Sequence, residues 1–137
     1  MDRSEVIRRR LQKLDEYLGI LRGLQRYSVE AFIGNPEHYG SAERFLQLAI
    51  ETLTDMGNHV IAELGLGTVD SYRDIPEILA KHGHIDHAAR DRWIEMIGFR
   101  NILVHDYLDV DREIVYRALQ QDLEDIEVLR RAFAKFL

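Results

Sequence analysis

The sequence predicts an all-α protein, an antiparallel helical bundle of four main helices plus short extra helices. Apolar residues recur at steps of three and four along most of the chain, which is the period of one face of a helix. No segment alternates with period two for long enough to predict a strand. Short loops separate the helical segments, which favours antiparallel packing of neighbouring helices. We expect all 137 residues to form one domain.

Two long helices are predicted in the first half of the chain. Residues 4–25 form one, with Ser4 as its N-cap, and Ser41 begins the other, which runs to about Leu64. Their apolar stripes are Ile7, Leu11, Leu14, Leu18 and Leu21 in the first, and Leu46, Ala49, Leu53, Met56, Val60 and Leu64 in the second. Between them, Ser28 opens a short helix and the Gly-Asn-Pro sequence at 34–36 breaks the chain.

The second half of the chain predicts one short and two longer helices. Asp74 caps the short helix, which Gly83 ends. Asp86 and Asp111 start the longer ones. Their apolar positions are Ala89, Trp93, Met96, Ile97 and Val104 in the first, and Val115, Leu119, Leu123, Ile126, Leu129 and Phe133 in the second.

Composition narrows the class of protein. The net charge of −6 argues against an extended, non-specific nucleic-acid surface, but it allows a small site with a few arginines. The chain has no cysteine, which excludes disulfides and thiolate metal sites. The N-terminal residues lack the continuous apolar region of a signal peptide, and no apolar run approaches about 20 residues. We expect a cytoplasmic protein that makes no contact with a membrane.

Residues 99–107, Phe-Arg-Asn-Ile-Leu-Val-His-Asp-Tyr, interrupt an apolar helix with polar groups near its end. The guanidinium of Arg100 presents a planar fork that fits a phosphate. The imidazole of His105 exchanges protons near neutral pH. Together they indicate phosphodiester chemistry. The alternative is structural: Arg100 pairs with an acidic neighbour, and His105 is a cation at a helix C-terminus.

The spacing of the two residues limits how they meet. Five residues on an ideal helix turn through about 500°, which leaves Arg100 and His105 about 140° apart around the axis. They converge only if the helix ends or loosens before His105, as the following residues 106–109 (Asp-Tyr-Leu-Asp) favour, or if copies from a second subunit complete the site.

Residues Arg100 to Tyr107 match the R-X4-H-X-Y motif, and the chain resembles the HepT-type toxins of the HEPN superfamily. Residues 46–51 and 55–59 are similar to the long central helix of that family. The resemblance extends over essentially the whole chain, and the motif shows no departure. It implies a HEPN-like bundle over residues 1–137.

The resemblance also implies a function. HepT-like proteins are the toxin half of a toxin–antitoxin pair, and they form homodimers in which two R-X4-H motifs line one cleft. They cut RNA without a metal and use no cofactor. Their partner, an MNT-type nucleotidyltransferase, attaches AMP groups to the motif tyrosine, here Tyr107, and so silences the toxin.

In an RNA cleavage of this kind, His105 would transfer protons and Arg100 would stabilise charge on the phosphoryl oxygens. The expected product is a 2′,3′-cyclic phosphate, and DNA would be spared because it lacks the 2′-hydroxyl. Asn101 would orient the histidine or the phosphate. Asp55 and His59 would support the site from the facing helix; alternatively they are an exposed pair four residues apart.

Two other interpretations remain open from the residues. A HEPN bundle can also be a non-catalytic substrate-binding or scaffold subunit of a nucleotidyltransferase, although a scaffold does not need both Arg100 and His105. The histidines at 82, 84 and 87 have the residue type of a zinc site, but no second ligand cluster accompanies them. We therefore expect no metal site.

Overall fold

The computed structural model describes residues 2–137, and within that range it contains helices and turns but no strand. The helices are α1 (Arg3–Leu24), α2 (Val29–Ile33), α3 (Pro36–Leu64), α4 (Asp74–Lys81), α5 (His87–His105), α6 (Arg112–Gln121) and α7 (Leu123–Ala134). A 3-10 turn, Tyr107–Asp109, lies between α5 and α6. The predicted all-α class is confirmed. None of the described helices is long and apolar enough to cross a membrane.

The two long helices start earlier than predicted. Asp2, not Ser4, caps α1, because its carboxylate accepts a hydrogen bond from a backbone N–H of the first turn. Asn35, not Ser41, caps α3 in the same way. Pro36 is then the first residue of α3, where its missing N–H has no helical partner to lose. The Gly-Asn-Pro break therefore begins the helix, whose cap was expected six residues later.

The predicted last helix is two helices in the structure. The chain bends at Asp122, whose backbone angles (φ −86°, ψ −15°) stay helical, so α6 passes into α7 without a loop. The bend lets the two halves pack on different neighbours. Helix α6 packs on α2 and α3, whereas α7 packs on α1, α3 and α5. Apolar period alone does not register this bend, because the apolar stripe continues across it.

Contacts between the first and last helices show that they run antiparallel. Arg22, near the end of α1, pairs with Glu127 in the first half of α7. Asp15, farther back along α1, pairs with Arg130, whose Nε lies 2.6 Å from the carboxylate. The order is reversed along the two helices, as the predicted antiparallel bundle requires.

The buried apolar residues form one continuous cluster. It contains all five stripe residues of α1 and most of the predicted stripes of the other helices. Two predicted members differ. Leu64 is exposed because it is the last residue of α3, and Leu103 takes the buried place expected for Val104.

Helix α3 approaches α4 and α5 closely at Gly57. A Cβ atom there would lie 2.4 Å from Cγ2 of Ile75 and 2.9 Å from Cη2 of Trp93. Both of those side chains are buried, so neither can move away easily. The missing side chain of Gly57 therefore sets the distance between α3 and α5.

We expect Gly57→Ala to lower the free energy of unfolding by about 1–3 kcal/mol, because the added methyl group overpacks the core. This loss should appear even though alanine is intrinsically better than glycine in a helix by about 1 kcal/mol. Urea unfolding followed by circular dichroism measures it. Gly19→Ala in α1 is the matched control, since a Cβ there meets no atom within 4 Å, and it should be neutral or stabilising. Equal stability of the two variants would contradict the close-packing account.

Candidate functional site

Arg100 is held between α5 and α3 by a two-point ion pair. Its Nε and Nη2 donate to Oε1 of Glu51 at 3.0 and 2.7 Å, and its Nη1 donates to Oδ1 of Asn101 at 3.2 Å. Gln47 donates to the same Glu51 oxygen at 3.2 Å. The side chain of Arg100 is only 16% exposed and that of Glu51 30%. The guanidinium is therefore fixed in one orientation at the edge of the core.

The ion pair leaves part of the Arg100 fork unused. A guanidinium has five N–H donors, and Glu51 and Asn101 engage three of them. The two remaining donors belong to Nη1 and Nη2, which together can bind two oxygens of a phosphate. Tyr72 lies against the group, with Cζ of Arg100 5.5 Å from its ring centroid. The predicted alternative, an ion pair with an acidic neighbour, is thus present, and it is compatible with anion binding.

His105 does not join Arg100 within one chain. Helix α5 continues through His105, and the N–H of Asp106 still bonds to the Ile102 carbonyl at 2.9 Å. The backbone leaves the helical conformation only at Asp106 (φ −120°, ψ 32°). The expected loosening before His105 does not occur, so the two side chains stay about 140° apart around the helix axis. The exposed His105 can meet an Arg100 only from another copy of the chain or after a rearrangement.

Tyr107 lies in the 3-10 turn that follows α5, and its side chain is 67% exposed. The turn is closed by a hydrogen bond from the Asp109 N–H to the Asp106 carbonyl at 3.0 Å. Ile102 and Leu108 beside it are also exposed. The phenol is therefore open to solvent and to a second protein.

Asp55 does not contact Arg100 as a hydrogen-bond partner; Glu51, one turn earlier on α3, has that position. Removal from water raises the pKa of Asp55 above its ordinary value, and the nearby negative charge of Glu51 raises it further. The positive charges of Arg10 and Arg100 lower this pKa and offset part of the increase. Glu51 was not predicted because Glu51 and Asp55 lie one turn apart on the same face of α3. Which of the two meets Arg100 depends on the register between α3 and α5, which the sequence does not give.

His59 contacts a different carboxylate of α3. Its Nε2 lies 2.9 Å from Oε2 of Glu63, one turn further along α3. Among the described residues no hydrogen bond or ion pair links His59 to Arg100 or His105. Its supporting role stays a prediction without a contact behind it.

The histidines of the 82–87 segment take separate places. Nε2 of His82 donates to the Leu66 carbonyl at 3.1 Å, and the ring of His84 packs on Phe136 with centroids 5.2 Å apart. His87 begins α5. Over residues 2–137 no group of three or more side chains is arranged to hold a metal ion.

Two adjoining cavities lie between α3, α5 and the loop that precedes α4. The smaller, about 250 Å³, is lined by Glu51 and Arg100, and the larger, about 540 Å³, by Asn58 and Asn101. Both share the side chains of Thr54, Asp55, Tyr72 and Ile97. They form one continuous depression with Arg100 in its wall, and His105 lines neither part.

Comparison with known proteins assigns the chain to a family. The family described as ribonuclease HepT-like matches residues 7–133. The chain belongs to this family. An 82-residue stretch, 60% of the chain, is 38% identical to the mRNA nuclease HepT of Shewanella oneidensis and spans 62% of that protein. The tRNA nuclease HepT of Aphanizomenon flos-aquae is 26% identical over 134 residues, which are 96% of this chain and 90% of that protein.

Two solved structures with a similar fold support the family assignment. The tri-AMPylated Shewanella oneidensis HEPN toxin in complex with its MNT antitoxin has a TM-score of 0.88 and 26% identity, covering 98% of this chain and 99% of that one. A toxin–antitoxin structure with AMP-PNP has a TM-score of 0.85, also at 26% identity, covering 97% and 99%. The HEPN-like fold predicted from the resemblance is confirmed.

We expect Glu51→Ala to lower the free energy of unfolding by about 1–3 kcal/mol, because it leaves the half-buried Arg100 charge without its partner. Asp15→Ala is the matched control. It also breaks a two-point arginine–carboxylate pair between helices, but the Asp15–Arg130 pair is more exposed. That variant should lose about 0–1 kcal/mol. Chemical denaturation measures both, and an equal loss in the two variants would contradict the special burial of the Arg100–Glu51 pair.

Proposed function

We propose that this protein is the toxin component of a toxin–antitoxin pair, an endoribonuclease that cuts RNA with Arg100 and His105. The observation that carries the proposal is the Arg100 guanidinium, fixed by Glu51 on one edge and open on the other. The two curated relatives, named as nucleases of mRNA and of tRNA, support an RNA substrate. We further propose that residues 1–137 form a single HEPN-like domain, and that the protein is cytoplasmic, where such RNAs occur.

We propose that the active form is a homodimer. A regular α5 keeps Arg100 and His105 of one chain apart, so a two-fold axis near the end of α5 would bring the motifs of two chains to one cleft. Exposed apolar side chains at this end, Ile102 and Leu108, offer surface for the contact. Trp93, an apolar position of the predicted helix, is fully buried and belongs to the core of the chain.

The proposed reaction needs only general acid–base and electrostatic catalysis, without a metal or cofactor. The 2′-oxygen of RNA attacks the adjacent phosphorus in line, and the bond from phosphorus to the 5′-oxygen breaks. His105 moves a proton at the 2′-hydroxyl or the leaving 5′-oxygen. The free edge of Arg100 stabilises the phosphoryl oxygens, with Asn101 holding the guanidinium. The products are a 2′,3′-cyclic phosphate and a 5′-hydroxyl, which DNA cannot give.

We propose that an MNT-type nucleotidyltransferase silences the protein by adding AMP to Tyr107. The exposed phenol supports this, and so does the tri-AMPylated state of the Shewanella oneidensis toxin with its MNT antitoxin. Each AMP adds about one negative charge close to the motif. That charge and bulk would compete with the RNA phosphate for Arg100.

One observation favours a second candidate. The Arg100–Glu51 pair is complete within a single chain, as expected of a purely structural ion pair. A non-catalytic HEPN subunit that binds substrate or serves as a scaffold for a nucleotidyltransferase would have this feature. Expression without a partner separates the two candidates, because only a ribonuclease toxin arrests growth.

We expect His105→Ala and Arg100→Ala each to reduce RNA cleavage by at least about 100-fold, the usual contribution of such groups. His105 is exposed, so its variant should keep the wild-type melting temperature. Arg130→Ala, which breaks the Asp15–Arg130 ion pair away from the motif, is the control and should cleave normally. EDTA should leave wild-type cleavage unchanged. Normal cleavage by His105→Ala would exclude the proposed chemistry, and inhibition by EDTA would exclude its metal independence.

We expect Tyr107→Phe to fold normally, to gain no AMP from the partner and ATP, and to keep its ribonuclease activity in their presence. Intact-mass spectrometry and a cleavage assay measure both effects. Tyr72→Phe is the matched control, since Tyr72 is 50% exposed and has a free phenol, and it should still gain AMP. If Tyr107→Phe gains AMP as the wild type does, the modification site lies elsewhere.

A further inference from the structure

We propose that the larger cavity beside Arg100 binds a nucleobase of the RNA substrate and prefers a base with an exocyclic amino group to uracil. The inference rests on the proposed ribonuclease function and adds a source of sequence preference to it. It concerns side chains that the R-X4-H-X-Y motif does not include: Asp55, Asn58, Asp70 and Tyr72.

The cavity is placed next to the proposed phosphate site. Asn101 connects the two, because its Oδ1 accepts from Nη1 of Arg100 while its side chain lines the larger cavity. A phosphate on the open edge of Arg100 therefore has the cavity as its immediate neighbour. The base of an adjacent nucleotide would enter it.

Charge excludes a second phosphate from this cavity. Asp55 and Asp70 place two carboxylates in its wall. The one cation among its lining residues, Arg73, is already paired with Glu77, whose carboxylate lies 3.0 Å from its Nε. A nucleobase carries no charge, so it meets no such repulsion.

The apolar lining of the cavity suits a flat ring. Ile75 and Ile97 are buried beneath the cavity, and the ring of Tyr72 forms part of its side. Bases of single-stranded RNA commonly stack on exposed aromatic side chains. The wall is also held in place, because the Asp74 carboxylate accepts the backbone N–H groups of Asp70 and Ser71 at 2.9 and 3.1 Å.

The polar atoms of the lining determine which base fits. The carboxylates of Asp55 and Asp70 only accept hydrogen bonds, whereas the amides of Asn58 and Asn101 both donate and accept. Adenine, cytosine and guanine each have an exocyclic amine that can donate to a carboxylate. Uracil has a carbonyl oxygen, O4, where cytosine has its amine, and a carboxylate at that position repels it; the one ring donor of uracil, N3–H, lies between its two carbonyl oxygens. A carboxylate that faces the amine position of the base would therefore discriminate against uracil.

The test is a map of cleavage sites in a mixed-sequence RNA, compared between wild type, Asp55→Asn and Asp15→Asn. We expect uracil to be disfavoured by about tenfold at one position next to the wild-type cut, the effect of one hydrogen bond lost or gained. Asp55→Asn supplies an amide donor and should remove or reverse that preference. Asp15→Asn removes the same charge outside the cavity and should keep the wild-type map. An unchanged map for Asp55→Asn would overturn the inference.

A binding measurement separates this inference from the ribonuclease function. Adenosine 3′-monophosphate should shift the side-chain amide NMR signals of Asn58 and Asn101 and bind about tenfold more tightly than uridine 3′-monophosphate. That result supports the cavity even if no RNA is cut, in which case the proposed function alone fails. Equal binding of the two nucleotides, or no shift at these amides, overturns the inference whatever the cleavage assay shows.

Discussion

The ion pair between Arg100 and Glu51 is the interaction on which the rest of the site depends. It joins the two helices that form the depression, and both side chains are largely buried. A charge in such a place is stable only when its partner is fixed, because the loss of hydration must be offset by well-oriented hydrogen bonds. Gln47 and Asn101 supply further bonds on either side. The result is an arginine whose orientation is set by the fold before any ligand arrives.

That orientation depends in turn on how closely α3 and α5 approach. Gly57 allows the approach, since any side chain there would meet Ile75 and Trp93. Gly57 lies between Glu51 of the ion pair and the end of α3. Core packing and site geometry are thus coupled, and a disturbance of either helix would move the arginine fork relative to its carboxylate.

The regularity of α5 has the opposite effect on His105. The backbone hydrogen bonds of α5 continue through His105. The side chain of His105 is therefore on a different side of the helix from that of Arg100. An active site made from both residues then requires a second chain, as we propose, or a rearrangement of the end of α5. A negative net charge of −6 does not oppose such a site, because the phosphate would contact the open fork of one arginine and not a broad basic surface.

Much of the fold follows from local patterns in the sequence. The apolar stripes predicted which residues of each main helix are buried in the core. Gly83 ends α4 as predicted, with a positive φ of 78° and a hydrogen bond from the His84 N–H to the Leu79 carbonyl. The true caps Asp2 and Asn35 were missed because serines nearby are equally good caps by residue type.

The parts of the site that depend on register between helices did not follow from sequence. Arg100 was identified by its chemistry, and Asp55 was expected to support it, but the carboxylate that bonds to it, Glu51, was not named. Both carboxylates lie one turn apart on α3, and the register between α3 and α5 places Glu51 against Arg100. The end of α5 was also predicted too early. Polar residues follow His105, but the helix keeps its backbone hydrogen bonds as far as the Asp106 N–H.

Mixing two inactive variants tests the central claim most directly, that Arg100 and His105 act together only across two chains. Arg100→Ala and His105→Ala proteins are unfolded and refolded separately and together, and RNA cleavage is measured at equal total concentration. If a site combines Arg100 of one chain with His105 of the other, random pairing gives one intact site in half of the dimers, so the mixture should recover about a quarter of wild-type activity. A mixture as inactive as each variant alone, with mixed dimers demonstrated by mass spectrometry, would contradict the account.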